Sequence, residues 1–406
     1  MKTRALAAAV CLLGAFLTQG DEGGKWKPGL QAKVPTSEGF DVGLFIPDAY
    51  AQEATRKFPL IYMHAPDGKP NPATFKDWAN RNGVILVGIN GAENGPNEPI
   101  VARQNAAIKF VEKELRVSDC LRFSMGMSGA AMMSWLLCHY NRGKHAGILM
   151  MGQAGFEELP LPPKHIAIAY IHGDQEPNNP FIVDEIKRLK KAGNPVREIV
   201  RPGGHIAGEH SDQVEMLTWL FNLERLTHPK RSPEEIQEAK KEAVKRIEAL
   251  AGISDAAARL REAEELLSIP DVEKWPEAKT LAAVWYKAAL DKAAGVNDPL
   301  EKNDLLTEIS QSPRLKLVPP ADARQVTAML TGLRRDPAVK KEHEAGQMLQ
   351  QIAALEAQAK TKSSWQQVSD GYTALKMRFP GTRAAAKAEE GIKRAAEALG
   401  PSKTRR

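Results

Sequence analysis

Val117-Ser118-Asp119-Cys120-Leu121-Arg122-Phe123-Ser124-Met125-Gly126-Met127-Ser128-Gly129-Ala130-Ala131-Met132-Met133 is the stretch whose reading decides how this chain folds. A short apolar strand runs into a Gly-x-Ser-x-small turn and then into an apolar helix. That is the layout of a nucleophile elbow, in which a serine is held on a strained strand-to-helix turn with its hydroxyl exposed. Small residues at Gly126 and Ala130 let strand and helix pack closely, and Ser128 falls at a helix N-terminus, where free N–H groups can stabilise an oxyanion. Taken alone, the pentad also describes a plain strand–helix turn, because Gly, Ser and Ala are common.

Two downstream segments supply the partners such a serine needs. Ala167-Ile168-Ala169-Tyr170-Ile171-His172-Gly173-Asp174-Gln175-Glu176 reads as a buried strand ending in a turn with two carboxylates, Asp174 and Glu176. Arg197-Glu198-Ile199-Val200-Arg201-Pro202-Gly203-Gly204-His205 reads as another strand, ending in a Gly-rich loop with a histidine. The chain order Ser, acid, His is then complete, and each candidate follows the C-terminal end of a predicted strand, where open α/β sheets place their reactive groups. In this reading Ser128 is the nucleophile, His205 takes its proton, and the acid orients the imidazole.

Residues from about Phe40 to Leu226 resemble the secreted esterases of the polyhydroxybutyrate depolymerase and feruloyl esterase group of the α/β-hydrolase superfamily. The matching stretches are the early strand Val42-Gly43-Leu44-Phe45-Ile46-Pro47, the strand Phe58-Pro59-Leu60-Ile61-Tyr62-Met63-His64 before the oxyanion loop, and Val117 to Cys138. The last is the specific one: Arg122, Gly126, Ser128, Met132 or Met133, Leu136-Leu137 and Cys138 echo the group's elbow run. The resemblance implies carboxylic-ester hydrolysis without a cofactor, with Ser128, Glu176 and His205 as the triad. The register after His172-Gly173 favours Glu176, leaving Asp174 as the alternative acid.

Two positions depart from the group. Ala130 replaces a glycine, which keeps the turn feasible. After His64, where the group has His-Gly-x and the N–H of x helps hold the oxyanion, this chain has His64-Ala65-Pro66-Asp67-Gly68, and proline has no N–H to give. Either Ala65, Asp67 or Gly68 donates together with Gly129, or the oxyanion hole is half built, at a cost on the order of 100- to 1000-fold in rate. The competing reading is therefore an inactive or weak α/β-hydrolase-fold scaffold whose helical half engages a protein or cell-envelope partner.

The N-terminus reads as a signal peptide over residues 1–20: a basic Met1-Lys2-Thr3-Arg4, an apolar run from Ala5 to Leu17 too short to span a bilayer, and small residues at Thr18 and Gly20. Val10 before Cys11 is not small, which argues against lipidation there. The expected location is secreted or periplasmic, with no transmembrane segment in the mature chain. In such an oxidising compartment Cys120 and Cys138 could meet as a disulfide, since strand and helix carry each of them about 15–20 Å below the turn; two buried free thiols are the alternative.

At 406 residues with 43% hydrophobic content, the chain can bury a full α/β core and still have much left over. Composition shifts near His228-Pro229-Lys230-Arg231, which divides it into a linker at 21–39, an α/β-hydrolase domain at 40–228 and an all-α domain at 229–406. Ser232-Pro233-Glu234-Glu235 opens a helix that stops near Gly252, followed by predicted helices over Ala256 to Ser268, Pro276 to Ala294, Leu300 to Ile309, Ala321 to Arg335, Pro337 to Lys360, Trp365 to Phe379 and Thr382 to Leu399. Trp365 through Ala388 resembles a tetratricopeptide-like hairpin, with Trp275 through Leu290 as a distant second copy; a generic bundle explains the same knobs and small residues. The charge of +6 is a modest excess with Lys and Glu interspersed, so nucleic-acid binding is not expected, and no Cys/His cluster suggests a metal. The fold class expected is a mostly parallel α/β sheet flanked by helices, followed by an all-α domain; the expected partners are an ester substrate and a protein bound by the helices.

Overall fold

The computed structural model describes residues 26–94 and 97–400; the signal-peptide reading of residues 1–20 and Cys11 fall outside them. The chain separates into two compact units, Met1–Val244 with Ser268–Pro270, and Lys245–Leu267 with Asp271–Arg406.

The first unit contains β1 (Gly29–Pro35), β2 (Asp41–Ile46), α1 (Ala49–Gln52), β3 (Phe58–Met63), α2 (Lys76–Asn82), β4 (Ile85–Ile89), α3 (Asn97–Glu114), β5 (Val117–Met127), α4 (Gly129–Tyr140), β6 (His145–Met151), β7 (Ala167–Gly173), α5 (Asn179–Ala192), β8 (Val196–Arg201) and α6 (His210–Thr227). The strands form one sheet in the order β1-β2-β4-β3-β5-β6-β7-β8. Pairing is parallel from β4 to β8, whereas β2 runs antiparallel to both β1 and β4. This is the α/β-hydrolase architecture expected from the sequence.

Strands β3, β4, β6 and β7 are buried throughout, and each is a nearly unbroken apolar run because helices cover both faces of the sheet. Trp78 and Ala79 of α2 and Met216, Leu217, Leu220 and Phe221 of α6 pack on one face. Ala107 and Val111 of α3, Ala130 and Met133 of α4, and Ile182, Ile186 and Leu189 of α5 pack on the other. The stretch 21–39, read from the sequence as a linker, holds β1: of its seven residues only Val34 is buried, so an edge strand bounded by Gly29 and Pro35 leaves almost no periodic signal.

The expected Cys120–Cys138 bridge is not formed. Both thiols are buried and free. Cys120 packs with Phe123 and Phe221 in the core beneath α6, while Cys138 packs with Ile148 and Tyr170 beneath α5, on the opposite face of the sheet. The rise arguments place both residues at similar depth, but side-chain direction on β5 sends them apart.

Helix α7 (Pro233–Ala249) begins as the sequence predicts: Glu235 N–H donates to Ser232 Oγ at 3.2 Å and Ser232 N–H to Glu235 Oε2 at 2.8 Å. The second unit is all helical, with α8 (Ala256–Leu267), α9 (Ala278–Ala294), α10 (Pro299–Gln311), α11 (Pro320–Leu333), α12 (Pro337–Gln358), α13 (Lys362–Arg378) and α14 (Arg383–Leu399), close to the predicted spans. Tyr372 of α13 packs over Gly391 of α14, where a methyl group would stand 2.5 Å from the ring. Its neighbours in that core are Ile352, Val368, Leu375 and Ala388. No helix among the described residues is long and apolar enough to cross a membrane.

One buried carboxyl in α6 makes stability depend on pH. Glu224 is 1% exposed and its Oε2 finds no hydrogen-bond partner among the described residues. Burial pushes its pKa up from 4.5 to about 9. The folded state therefore keeps a proton that the unfolded chain releases, so this contribution is fully present below about pH 4.5 and is lost as pH rises through about 9. The neutral isostere Glu224→Gln should raise the melting temperature at pH 8–9 relative to wild type, on the order of 1 kcal/mol per pH unit crossed, and change it little near pH 4.5. Thermal melts at the two pH values check this; an equal effect at both rules out the carboxyl charge as the cause.

Candidate active site

The turn between β5 and α4 is tight because Gly126 lacks a side chain. A Cβ there would collide with the Ala130 carbonyl oxygen and stand 2.9 Å from the Ala131 nitrogen. Ser128 takes φ 55 and ψ −131, a conformation that costs a non-glycine residue on the order of 1–3 kcal/mol. Its N–H donates to the Met151 carbonyl at 2.8 Å and its carbonyl accepts from Ala131 at 2.9 Å, so neighbouring backbone holds the strained residue in place. Ser128 is the N-cap of α4, with Gly129 the first helical residue.

The acid and the histidine lie at the ends of β7 and β8. Glu176 is 3% exposed, and its Oε2 and Oε1 lie 2.9 and 3.0 Å from His205 Nδ1. Asn178 N–H donates to Glu176 Oε1 at 3.1 Å, which helps hold the carboxylate. The two groups meet beside Gly152: a Cβ on that residue would lie 3.2 Å from Glu176 Oε2 and from His205 Nδ1 and Cε1. Because Gly152 directly follows Met151, whose carbonyl holds Ser128, the end of β6 lies between the serine turn and the Glu176–His205 pair.

Asp174 is engaged elsewhere. Its Oδ1 accepts the Gly203 N–H at 2.9 Å, its own N–H donates to Arg201 at 2.8 Å, and Gln175 N–H donates to Gly203 at 2.8 Å. These bonds zip the loop after β7 to the loop after β8. The zipper closes because Gly173 has no side chain; a Cβ there would collide with the carbonyl oxygens of Gly203 and Gly204. Below it, Arg201 pairs with Asp212, whose carboxylate also accepts the Glu209 N–H at 3.0 Å and so caps α6. Burial alone would push the Asp212 carboxyl up, but the Arg201 hydrogen bond and the Glu209 N–H hold it below its ordinary value.

At the end of β3, His64 is fully buried and neutral, its pKa pushed down to about 3 by desolvation. Gln104 Nε2 lies 3.0 Å from His64 Nε2 and donates to the Met133 carbonyl at 2.8 Å, while His64 Nδ1 lies 3.0 Å from Ser134 Oγ. Because Gln104 is the donor at Nε2, the network assigns the ring proton to Nδ1. The loop beyond it is a β-turn in which Gly68 N–H donates to the Ala65 carbonyl at 2.9 Å, with Pro66 at the position that favours proline. That bond commits the Gly68 N–H, and among the donors considered from sequence it leaves Ala65 and Asp67.

Sequence reading passed over three supporting side chains. Gln104 stands on the apolar stripe Ile100, Ala107, Val111 of α3, and Ser134 among the buried residues of α4. Glu185 shares the α5 stripe of Ile182, Ile186 and Leu189, where it accepts the Gly155 N–H at 2.9 Å and the Tyr170 hydroxyl, bracing the loop after β6. Burial raises the Glu185 carboxyl above its ordinary value. A polar residue on an apolar helical stripe was the legible signal in each case. His145 is fully buried with Nε2 2.9 Å from Ser124 Oγ. Among the described residues, no group of His, Cys, Asp and Glu is placed to hold a metal ion.

No family model matches the chain, and no curated protein matches it. It is similar to solved structures of a ferulic acid esterase (16% identity, covering 48% of this chain and 99% of that one, TM-score 0.40). A thermostable esterase is similar at 16% identity, covering 47% of this chain and 62% of that one, TM-score 0.38. The S-formylglutathione hydrolase FrmB of Staphylococcus aureus is similar at 13% identity, covering 49% of this chain and 100% of that one, TM-score 0.36.

The zipper between the β7 and β8 loops can be tested at its closest point. Gly173→Ala should destabilise the protein by about 1–3 kcal/mol by forcing two backbone carbonyls apart. Gly204→Ala, whose Cβ would meet nothing nearer than the Gln175 carbonyl at 3.8 Å, should stay within about 0.5 kcal/mol of wild type. Denaturant midpoints measure both; equal costs would mean that the close approach is not what holds the loops together.

Proposed function

We propose that this protein is an exported serine hydrolase that cleaves carboxylic esters through an acyl-enzyme. The observation that carries the reading is the buried Glu176 carboxylate on His205 Nδ1 at 2.9 and 3.0 Å, packed against Gly152, while the preceding Met151 carbonyl holds a positive-φ serine at a helix N-terminus. In this mechanism the Glu176 carboxylate accepts a hydrogen bond from the His205 Nδ1–H, which keeps the proton on Nδ1 and leaves Nε2 as the base. As Ser128 Oγ attacks the ester carbonyl, its proton passes to Nε2, and the carbonyl π electrons move onto oxygen. The Gly129 N–H and, from the loop after β3, the Ala65 N–H receive that oxyanion. Collapse of the tetrahedral adduct expels the alcohol, which takes the proton from His205, and water then releases the acid by the same steps in reverse order of partners.

The fold supports an ester substrate without selecting one, since loops rather than the sheet set specificity. Acylated polysaccharide or polyester is the class the sequence resemblance favours. The helical unit is assigned a partner-binding or envelope-binding role on its helical-hairpin character and its mixed charge. The export part of the proposal rests on the signal-peptide pattern of residues 1–20.

Hydrolysis of a short-chain aryl ester and labelling by a fluorophosphonate test the reading. Ser128→Ala should abolish both while leaving the thermal melt intact. Glu176→Gln should lower kcat by roughly four orders of magnitude, because the amide favours the wrong imidazole tautomer. Asp174→Asn retains an oxygen for the Gly203 N–H and should stay within about tenfold of wild type. A crippled Asp174→Asn with an active Glu176→Gln would transfer the acid role to Asp174, and a protein that turns over equally with Ser128→Ala has another nucleophile.

A further inference from the structure

The oxyanion loop has a deficit and a neighbour able to repair it. Pro66 stands where the sequence resemblance implies a backbone donor, and it has no N–H. The carbonyl of this same Pro66 accepts the N–H of Asn94 at 3.0 Å, so the loop after β4 is fastened to the oxyanion loop at the defective position. A second tie runs from Gly91 N–H to the Gly68 carbonyl at 2.7 Å. From the other side, Arg103 donates to the Asn90 carbonyl at 3.2 Å while stacking 4.8 Å over the Phe40 ring. The segment from Asn90 to Asn94 is thus held by contacts at both ends.

The Asn94 side chain rests on Gly129. A Cβ on Gly129 would collide with Asn94 Oδ1 and stand 2.7 Å from Cγ and 2.9 Å from Nδ2. Gly129 is the residue whose N–H receives the oxyanion in the mechanism above, and it follows Ser128 directly. A solvent-exposed primary carboxamide therefore lies against the Cα of the residue that carries the elbow donor, while the backbone N–H of Asn94 is tied to the one loop position that cannot donate. Because Oδ1 and Nδ2 exchange places on a half-turn of χ2 with no change in volume, a developing negative oxygen selects the NH2 end.

We infer that Asn94 supplies, through Nδ2–H, an oxyanion donor in place of the one that Pro66 withholds, beside the N–H groups of Gly129 and Ala65. The inference rests on the serine-hydrolase reading and deepens it. A carboxamide is a competent oxyanion donor, and one prepositioned by two loop ties and a braced arginine needs little reorganisation as charge develops. It also gives Gly129 a reason to be glycine: any side chain there would displace the carboxamide.

The test compares wild type with Asn94→Ala and Asn94→Asp on an aryl ester, with fluorophosphonate labelling of Ser128, thermal melts, and binding of an aryl trifluoromethyl ketone, which forms a tetrahedral oxyanion on the serine. Asn94→Ala should lower kcat by about 100- to 1000-fold with KM nearly unchanged, and weaken ketone binding in proportion, at an unaltered melting temperature. Asn94→Asp keeps the shape but sets a negative charge against the oxyanion, so it should lose at least as much. Should the alanine variant fail to melt cooperatively, the isosteric aspartate variant carries the test. An active, labelled wild type whose Asn94 variants keep wild-type kcat overturns the inference alone, as does a rate increase, which would make the carboxamide a shield over Ser128. A wild type that neither labels nor turns over removes the hydrolase reading and this inference with it.

Discussion

Gly126 and the Ala130 carbonyl approach so closely that one methyl group between them would collide, and the geometry of the Ser128 turn follows from that approach. With strand β5 and helix α4 drawn together, the single residue left to reverse the chain must take a positive φ, and that residue is Ser128. A strained residue persists only where its surroundings over-determine it. Here the hydrogen bond from Ser128 to Met151 on the adjacent strand and the burial of Ala130, Ala131 and Met133 provide that constraint. Strain and helix start are both consequences of one missing side chain.

The same device recurs along the sheet edge. Gly173 lets the loops after β7 and β8 touch, and Asp174 then binds Gly203 across the contact. Gly155 lies against the Trp135 ring, where a Cβ would stand 2.6 Å from Cε2, while Glu185 holds its N–H from below. Buried polar groups beneath each loop limit its freedom: Gln104 and Ser134 under His64, Tyr170 and Glu185 under Gly155, Asp212 under Arg201. Each is paired, as a buried polar group must be to avoid a desolvation cost of a few kcal/mol. Geometry at the edge is thus transferred from a rigid core to loops that would otherwise move.

Local chemistry explains which features could be read without coordinates. The buried runs of β3, β4, β6 and β7 announce a covered parallel sheet, and the aspartate and threonine caps and N1 prolines of the C-terminal half mark helix starts to within a few residues. Edge strand β1 was illegible because an exposed strand needs little apolar periodicity. The fate of Cys120 and Cys138 was illegible for another reason: depth along an element can be counted, but the face a side chain takes depends on the register of a strand with an irregularity between Arg122 and Phe123.

The sequence by itself determined the Ser, acid, His order, the α/β class followed by helices, and the absence of an N–H at Pro66, because each is a property of residue type, spacing or covalent structure. Only the tertiary structure decided which carboxylate faces His205 and what stands opposite Pro66. Glu176 and Asp174 are two residues apart and chemically alike, and the difference between them lies in long-range contacts to Gly203 and His205. Asn94 carries no motif at all. Its place over Gly129 arises from the pairing of β4 beside β3 and from backbone bonds between two loops far apart in sequence, which no local pattern encodes.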